Sequence, residues 1–209
     1  PRDLKMFLFN MFREKPGLRD DFPCPPIFHG MLGKVGHMFF GPKNVKVRIH
    51  QDIDMSNVLL TQFHGKKRVV LVAPKYSTLL YRLPFNTHSL IDLDQPDFTK
   101  YPGLQYIETF ECILEPGDSL FMPGGYWHYI TYTEAGFAVS YRKISPRVFR
   151  GLVNILLYLP FDKLMIRYMG ERWLHVKQNM AARRANALIK KIRKNIYRGE
   201  SYLTSVMKS

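Results

Sequence analysis

His50-Gln51-Asp52, with Pro123-Gly124-Gly125-Tyr126-Trp127-His128 ending 76 positions after Asp52, decides how this chain is read. In an extended strand, residues i and i+2 project to the same side, so His50 and Asp52 can face one interior together. His128 joins them only if a distant strand brings it back, which a small barrel or double-sheet jelly roll does. Two imidazoles and one carboxylate gathered in this way hold a divalent metal on one triangular face and leave the opposite positions open. Taken alone, His-x-Asp is a common tripeptide. It reads equally as a polar strand edge with His50 satisfied by a backbone carbonyl.

Outward from these ligands the chain breaks into short apolar runs separated by turn residues. Met38–Phe40 and Val45–Ile49 read as strands around Gly41-Pro42-Lys43-Asn44. Asn57–Phe63, Arg68–Ala73, Phe110–Leu114, Ser119–Met122, Tyr129–Tyr132 and Phe137–Tyr141 follow, with Gly65, Pro74 and Glu115-Pro116-Gly117-Asp118 as punctuation. Many short strands with Gly/Pro turns indicate an all-β sandwich or barrel. Leu4–Phe12 reads as a short apolar helix or strand, and Leu83–Gly103 as a long excursion over the surface.

After Pro146 the texture changes. Val148–Leu159 and Asp162–Tyr197 have helical periodicity, and Ala181, Ala185, Leu188, Ile192 and Ile196 recur at steps of three and four. That stripe must be buried, on the β core or against a second copy. The division expected is residues 1–146 as a β unit and 147–209 as a basic helical extension. Residues 142–209 hold sixteen Lys/Arg against Asp162, Glu171 and Glu200, and so carry +13 of the formal +14. Such a tail fits a nucleic-acid or anionic-surface contact, or simply a solvated helix face. Membrane docking ranks last, because the stripe offers alanines rather than large insertable side chains.

The apolar content of 46% supports a real core. No apolar run reaches the roughly 18–20 residues of a bilayer span; the longest candidate, Leu152–Leu159, is stopped by Pro160. No signal segment is visible at the start, and the chain opens on Pro1 as a fragment would. Cys24 and Cys112 make neither a disulfide framework nor a zinc pattern, so a reducing, cytoplasmic setting is the simpler reading.

The chemistry expected of the ligands is that of a non-haem Fe(II) oxygenase. Such an enzyme needs a co-substrate that chelates the metal and supplies two electrons. A dicarboxylic 2-oxo acid does so, and its far carboxylate then needs a buried cation, which Lys67 in Gly65-Lys66-Lys67-Arg68 is placed to supply. The other polar residues have plainer readings. His64 is a turn residue and His88 a solvated one. Asp54 lies a further pleat beyond Asp52, Asp92, Asp94 and Asp97 cap a turn, and Trp127 and Tyr126 are core and rim.

The joint pattern HQD (50–52), GKKRVVLVAP (65–74), IDLDQPDFTKYPGL (91–104) and EPGDSLFMPGGYWHYI (115–130) resembles the JmjC/cupin-like Fe(II)/2-oxoglutarate oxygenases over roughly residues 4–142. Within them it is similar to the asparaginyl hydroxylase of hypoxia-inducible factor and to the tRNA wybutosine hydroxylase. The resemblance implies a mainly β, cupin-like double-stranded β-helix (jelly roll) with N-terminal elements and a C-terminal helical extension. It implies iron on His50, Asp52 and His128, and the C5 carboxylate of 2-oxoglutarate on Lys67, with Asn57 and Ser140 as further co-substrate contacts. It also implies a homodimer through the C-terminal helices.

Departures from the family pattern bear on 2-oxoglutarate. A tyrosine of the hypoxia-factor hydroxylase falls at Phe7, a threonine at Val47, and an asparagine at Val58 or, with shifted register, at Asn57. His50 to Gly65 is two residues longer than in the relatives, so the loop after Asp52 must bulge. The function expected is hydroxylation of a macromolecule. A protein side chain stands first and an RNA nucleoside second; the third reading is a cupin-fold binding module that has lost 2-oxoglutarate.

Overall fold

A computed structural model describes residues 6–9, 11–28, 36–198 and 201, with side chains from residue 12 onward. The side chain of Phe7 lies outside the described set. Nine strands run β1 (Met6–Phe9), β2 (His37–Gly41), β3 (Lys46–His50), β4 (Asn57–His64), β5 (Lys67–Val72), β6 (Thr109–Leu114), β7 (Ser119–Met122), β8 (Trp127–Tyr132) and β9 (Gly136–Lys143). They form two antiparallel sheets, β1-β2-β9-β4-β7 and β3-β8-β5-β6. This is the expected mainly β, cupin-like jelly roll. The Leu4–Phe12 segment contributes β1 and a short helix, α1 (Met11–Glu14), followed by α2 (Leu18–Asp21); residues 4, 5 and 10 lie outside the described set.

Strand periodicity sorts the side chains. On β5, Lys67, Val69 and Leu71 face the opposing sheet. Val69 and Leu71 join Val58, Leu60 and Met122 in the core between the sheets. Val70 and Val72 face outward into a second core with Trp127 and Tyr129 of β8. Both faces of β5 are covered, which is why it reads as a continuous run of valines and leucine rather than an alternation.

The cover on the outer face is helical. After β9 come α3 (Val148–Val153), a π-helical turn at Asn154–Tyr158, α4 (Leu159–Met169) and α5 (Glu171–Tyr197). Pro160 does not stop the helical path. It sits in the first turn of α4, where its missing N–H costs least, directly after the widened π turn. The chain bends instead at Gly170, with φ 55° and ψ −133°. Ala181, Ala185, Leu188 and Ile192 pack on the cluster of Trp127, Val70, Val72 and Leu80. The stripe on α5 is therefore buried on its own β core, and Ile196, expected on it, is 51% exposed. No helix among the described residues is long and apolar enough to cross a membrane.

A buried ion pair fastens the helices together. Lys177 Nζ lies 2.7 Å from Asp162 Oδ1, and the Trp173 indole N–H donates to the same oxygen at 2.6 Å. Asn86 Nδ2 donates to Asp162 Oδ2 at 3.1 Å, which ties the long 83–103 excursion to α4. A carboxylate with a cation and two further donors has its desolvation well compensated.

Candidate functional site

Register brings the ligands together. His50, the last residue of β3, pairs with His128 on β8. The Pro123–Tyr126 turn leads into β8 and packs closely because Gly124 has no Cβ: one built there would meet Met55 O at 2.2 Å. Gly125 turns the chain with φ +81°, a conformation that glycine adopts without strain. The His50 and His128 ring centroids are 4.2 Å apart. One ligand atom from each of His50, Asp52 and His128 lies within 4.8 Å of the others. Asp54 stands outside this set.

The environment leaves these groups ready to bind a metal. His50 Nδ1 is 2.8 Å from Arg48 O and His128 Nδ1 is 3.3 Å from Tyr126 O. A carbonyl only accepts, so each Nδ1 carries the hydrogen and each Nε2 keeps its lone pair. Burial is the main cause that pushes the His50 ring down to about 4 and also lowers His128, so both are neutral at physiological pH. Burial raises the Asp52 carboxyl, but His128 and Arg142 outweigh it and the net shift is downward. The Arg142 guanidinium donates to Asp52 Oδ1 at 2.9 Å, to Asp54 Oδ1 at 3.0 Å and to Ser56 Oγ at 2.9 Å. Two neutral imidazoles and an ionised carboxylate, their outer atoms already engaged, are a donor set that suits divalent iron.

These ligands stand at one end of a cavity of about 490 Å³ between the sheets. Its wall is the inward set of each strand: Val58 and Leu60 of β4, Lys67 of β5, Ile130 and Tyr132 of β8, and Ser140 and Arg142 of β9. Lys67 is 1% exposed. Its Nζ lies 4.3 Å from the Tyr132 ring centroid, and among the described residues no carboxylate pairs with it. Burial alone pushes its ammonium down to about 7. Ser140 Oγ is buried and likewise has no hydrogen-bond partner among the described residues. An unpaired interior cation and an unused hydroxyl lining one cavity fit the far carboxylate of a dicarboxylic acid.

Asn57 requires a correction. It lies on the opposite parity of β4 from Val58, and its Oδ1 accepts from Gly124 N–H at 2.8 Å. It therefore braces the turn before His128 and does not line the cavity, whereas Val58 does. Val47 also lines it, so neither position offers a hydroxyl or amide there. The loop after Asp52 does turn sharply, with Met55 N–H donating to Asp52 O and Met55 at φ 55°.

His88 is exposed but not simply solvated. It bridges to His50, stacks on its ring at 5.5 Å, and its Nδ1 lies 2.7 Å from Asn86 Oδ1. Nothing in the local sequence signals this, because the bridge spans 38 residues without a strand of its own. Arg142 was also missed, although Ser140 and Arg142 share parity on β9 and could have been read together. His64, expected in a turn, is instead the exposed last residue of β4, while Asp92 and Asp97 accept from the backbone N–H groups of Asp94 and Lys100 as the capped-turn reading requires. Trp127 is fully buried, with its indole N–H on Ser77 Oγ.

Known proteins agree with this architecture. The tRNA wybutosine-synthesizing protein 5 of Danio rerio is 34% identical over 128 residues, 61% of this chain and 38% of its own length. The Homo sapiens protein of that name is 39% identical over 128 residues, covering 61% of this chain and 40% of its own. Lysine-specific demethylase 8 of Danio rerio is 31% identical over 141 residues, covering 63% and 34%. The chain thus spans less than half the length of these relatives. Residues 8–142 match the cupin-like domain, and with the two sheets and the His-Asp-His cluster between them the chain belongs to that family, in its JmjC-type branch.

Proposed function

We propose that this protein is an Fe(II)- and 2-oxoglutarate-dependent oxygenase that hydroxylates a macromolecular substrate, working in a reducing cytoplasmic setting. The observation that carries the reading is a single cavity with three metal ligands at one end and an unpaired, buried lysine on its wall. When bound, iron and 2-oxoglutarate together supply the activation of O2 for insertion into an unactivated C–H bond. His50, Asp52 and His128 hold the metal, and Arg142 fixes the carboxylate of Asp52. Lys67 takes the far carboxylate of the co-substrate, and Ser140 offers a hydroxyl to the same cavity. Val58, Leu60 and Ile130 exclude water and so strengthen that charge pairing. With Val47 and Val58 apolar, the co-substrate has fewer hydrogen bonds, and each one missing from a charged acceptor costs about 1.5–3 kcal/mol.

The test is turnover of 2-oxoglutarate to succinate, expected to require Fe(II), together with calorimetry of 2-oxoglutarate against protein loaded with Mn(II). Heat of binding without succinate would leave a dead enzyme. No heat at all would favour the binding module and sink the oxygenase.

Cys24 and Cys112 are joined in no disulfide among the described residues, which supports the reducing compartment. The relatives are named as a tRNA wybutosine-synthesizing protein and a lysine-specific demethylase, which keeps both RNA and protein as substrate classes. The +13 carried by residues 142–209 favours RNA over the protein side chain first expected. We take residues 1–146 as the catalytic unit and 147–209 as the extension that shapes its substrate face.

Association of two copies through α3, the π-helical turn and α4 is the accompanying proposal. Phe149, Leu156, Leu157 and Tyr168 are between 61% and 80% exposed, an apolar face of the kind that marks an interface. Leu156→Asp with Leu157→Asp is expected to halve the mass in sedimentation. A wild-type chain that sediments as a monomer would overturn the dimer.

A further inference from the structure

His50 ends an edge strand. β3 pairs with β8 on one side, and its other side faces no strand of the sheet among the described residues. Such an edge presents unpaired N–H and C=O groups, and the end of a strand is where fraying begins. The start of the 83–103 excursion fills this place. Gln51 N–H donates to Thr87 O at 2.8 Å and Ser89 N–H to Ile49 O at 3.3 Å, on either side of the His50–His88 bridge. In an antiparallel pair, bonds made by the flanking residues leave the central two as a non-hydrogen-bonded pair, whose side chains stand closest. That register sets the His88 ring on the His50 ring, with centroids 5.5 Å and planes 15° apart. On the β8 side the His128 ring stands 4.2 Å from His50. His50 is thus the middle one of three imidazoles in a row across the strands.

The outer ring of the row is itself anchored. Asn86 Oδ1 accepts from the backbone N–H groups of Thr87 and His88, at 2.7 and 3.1 Å, and lies 2.7 Å from His88 Nδ1. Its Nδ2 donates to Asp162 Oδ2 at 3.1 Å. These partners fix the orientation of the amide and make His88 Nδ1 a donor. Asp162 of α4 is 3% exposed, and it holds Lys177 and the Trp173 indole of α5. Phe85 docks on the same helices, with its ring 4.7 Å from that of Phe161 and 6.0 Å from that of Trp173. It does so at φ 58°, a conformation that a bulky residue keeps only where its surroundings enforce it. A continuous path of hydrogen bonds and ring contact therefore runs from α5 through Asp162, Asn86 and His88 to the first candidate ligand.

A solvated loop histidine needs none of these ties. His88 also lines both the main cavity and a neighbouring groove of about 290 Å³, and His50 and Asp52 line both as well. Its ring therefore stands at the edge of the metal site.

We propose that residues 85–89 are a clasp through which the helical extension holds His50 in the position a metal requires, with His88 as a positioning residue that touches the ligand ring and not the metal. The proposal rests on the metal site of the oxygenase reading and is independent of 2-oxoglutarate and of the substrate.

The test is the Co(II) affinity of the full chain, measured by competition with a fluorescent chelator, together with the unfolding midpoint of the metal-free protein. His88→Ala is expected to weaken Co(II) binding by about 10–100-fold, the usual loss when a partner that orients a metal ligand is removed. The midpoint should stay within about 2 °C, as for other exposed side chains. His88→Phe keeps a flat ring on His50 and offers no ligand atom, so it should regain much of the affinity. A phenylalanine variant as weak as the alanine one would show that the site uses a ring nitrogen, and would overturn the positioning role. Asn86→Ala breaks the path one step further out. It should weaken binding severalfold alone and add little to His88→Ala, because the two act in series. Full additivity in the double variant would place Asn86 outside the path and overturn the clasp. A midpoint that falls in step with affinity across the variants would reduce the effect to general loosening and overturn it too. Tight Co(II) binding that is indifferent to His88 keeps the oxygenase and sinks the clasp. Wild-type protein that takes up no Co(II) sinks the metal site and with it the oxygenase. The clasp is then decided by NMR of the metal-free protein, where the His50 ring protons should shift in His88→Ala as the shielding of the stacked ring is lost. Unchanged resonances would overturn it.

Discussion

Lys67→Met is expected to make the ligand-free protein more stable and, by the same change, unable to hold 2-oxoglutarate. The lysine is almost wholly buried, and its ammonium is pushed from the usual 10.5 down to about 7. Its folded value is below its unfolded one, so between about pH 7 and 10.5 the unfolded chain binds more protons and wild-type stability rises with pH. The penalty for burying the charge is complete below that window and gone above it. A methionine of similar length removes the penalty, which at neutral pH is about 2–4 kcal/mol. Urea melts across the window should show the wild type approaching the variant as pH rises. A variant less stable than wild type at neutral pH would mean that the lysine has a partner in the folded protein. Calorimetry should show 2-oxoglutarate binding weakened by about a hundredfold or more, since its far carboxylate would then be buried unpaired.

His128→Ala and Arg142→Gln are expected to form a graded pair. Without His128 the metal keeps two ligands, and Fe(II)-dependent succinate formation should fall to background. Arg142 touches no metal position but donates to Asp52 at 2.9 Å. Removing such an outer partner typically costs about 10–100-fold in metal affinity. Arg142→Gln should therefore regain much of its turnover when Fe(II) is raised, and His128→Ala should not. Identical behaviour in the two variants would show that Arg142 acts on folding or on co-substrate and not through the orientation of Asp52.

Much of the fold was legible because strand periodicity and turn chemistry are local. Ser119–Met122 is a strand with the expected bounds, and most others differ by one or two residues at an end. That His50 and Asp52 could come together was legible for the same reason, and His128 as their candidate third partner because a Pro-Gly-Gly turn announces the strand that carries it. What failed was parity across an irregular loop. Between Asp52 and β4 the chain passes through Met55 in a left-handed conformation, so counting from the ligands could not say whether Asn57 or Val58 faces inward. His88 was misread because it is held by one isolated bridge, which has no pattern to detect. The destination of the α5 stripe was undetermined because a β sheet and a second helix offer the same apolar surface to alanine and leucine. Pro160 looked like a stop, yet a proline in a helix's first turn breaks no hydrogen bond.

Trp127 and His128 are consecutive on one strand and so look in opposite directions, the indole toward the layer covered by α5 and the imidazole into the cavity. A substitution at Ala185 or Leu188 that lifts the long helix would therefore be transmitted through a single peptide unit to the His128 ring. Screens for impaired variants should find positions on the back of the molecule that detune the centre without ever meeting its ligands.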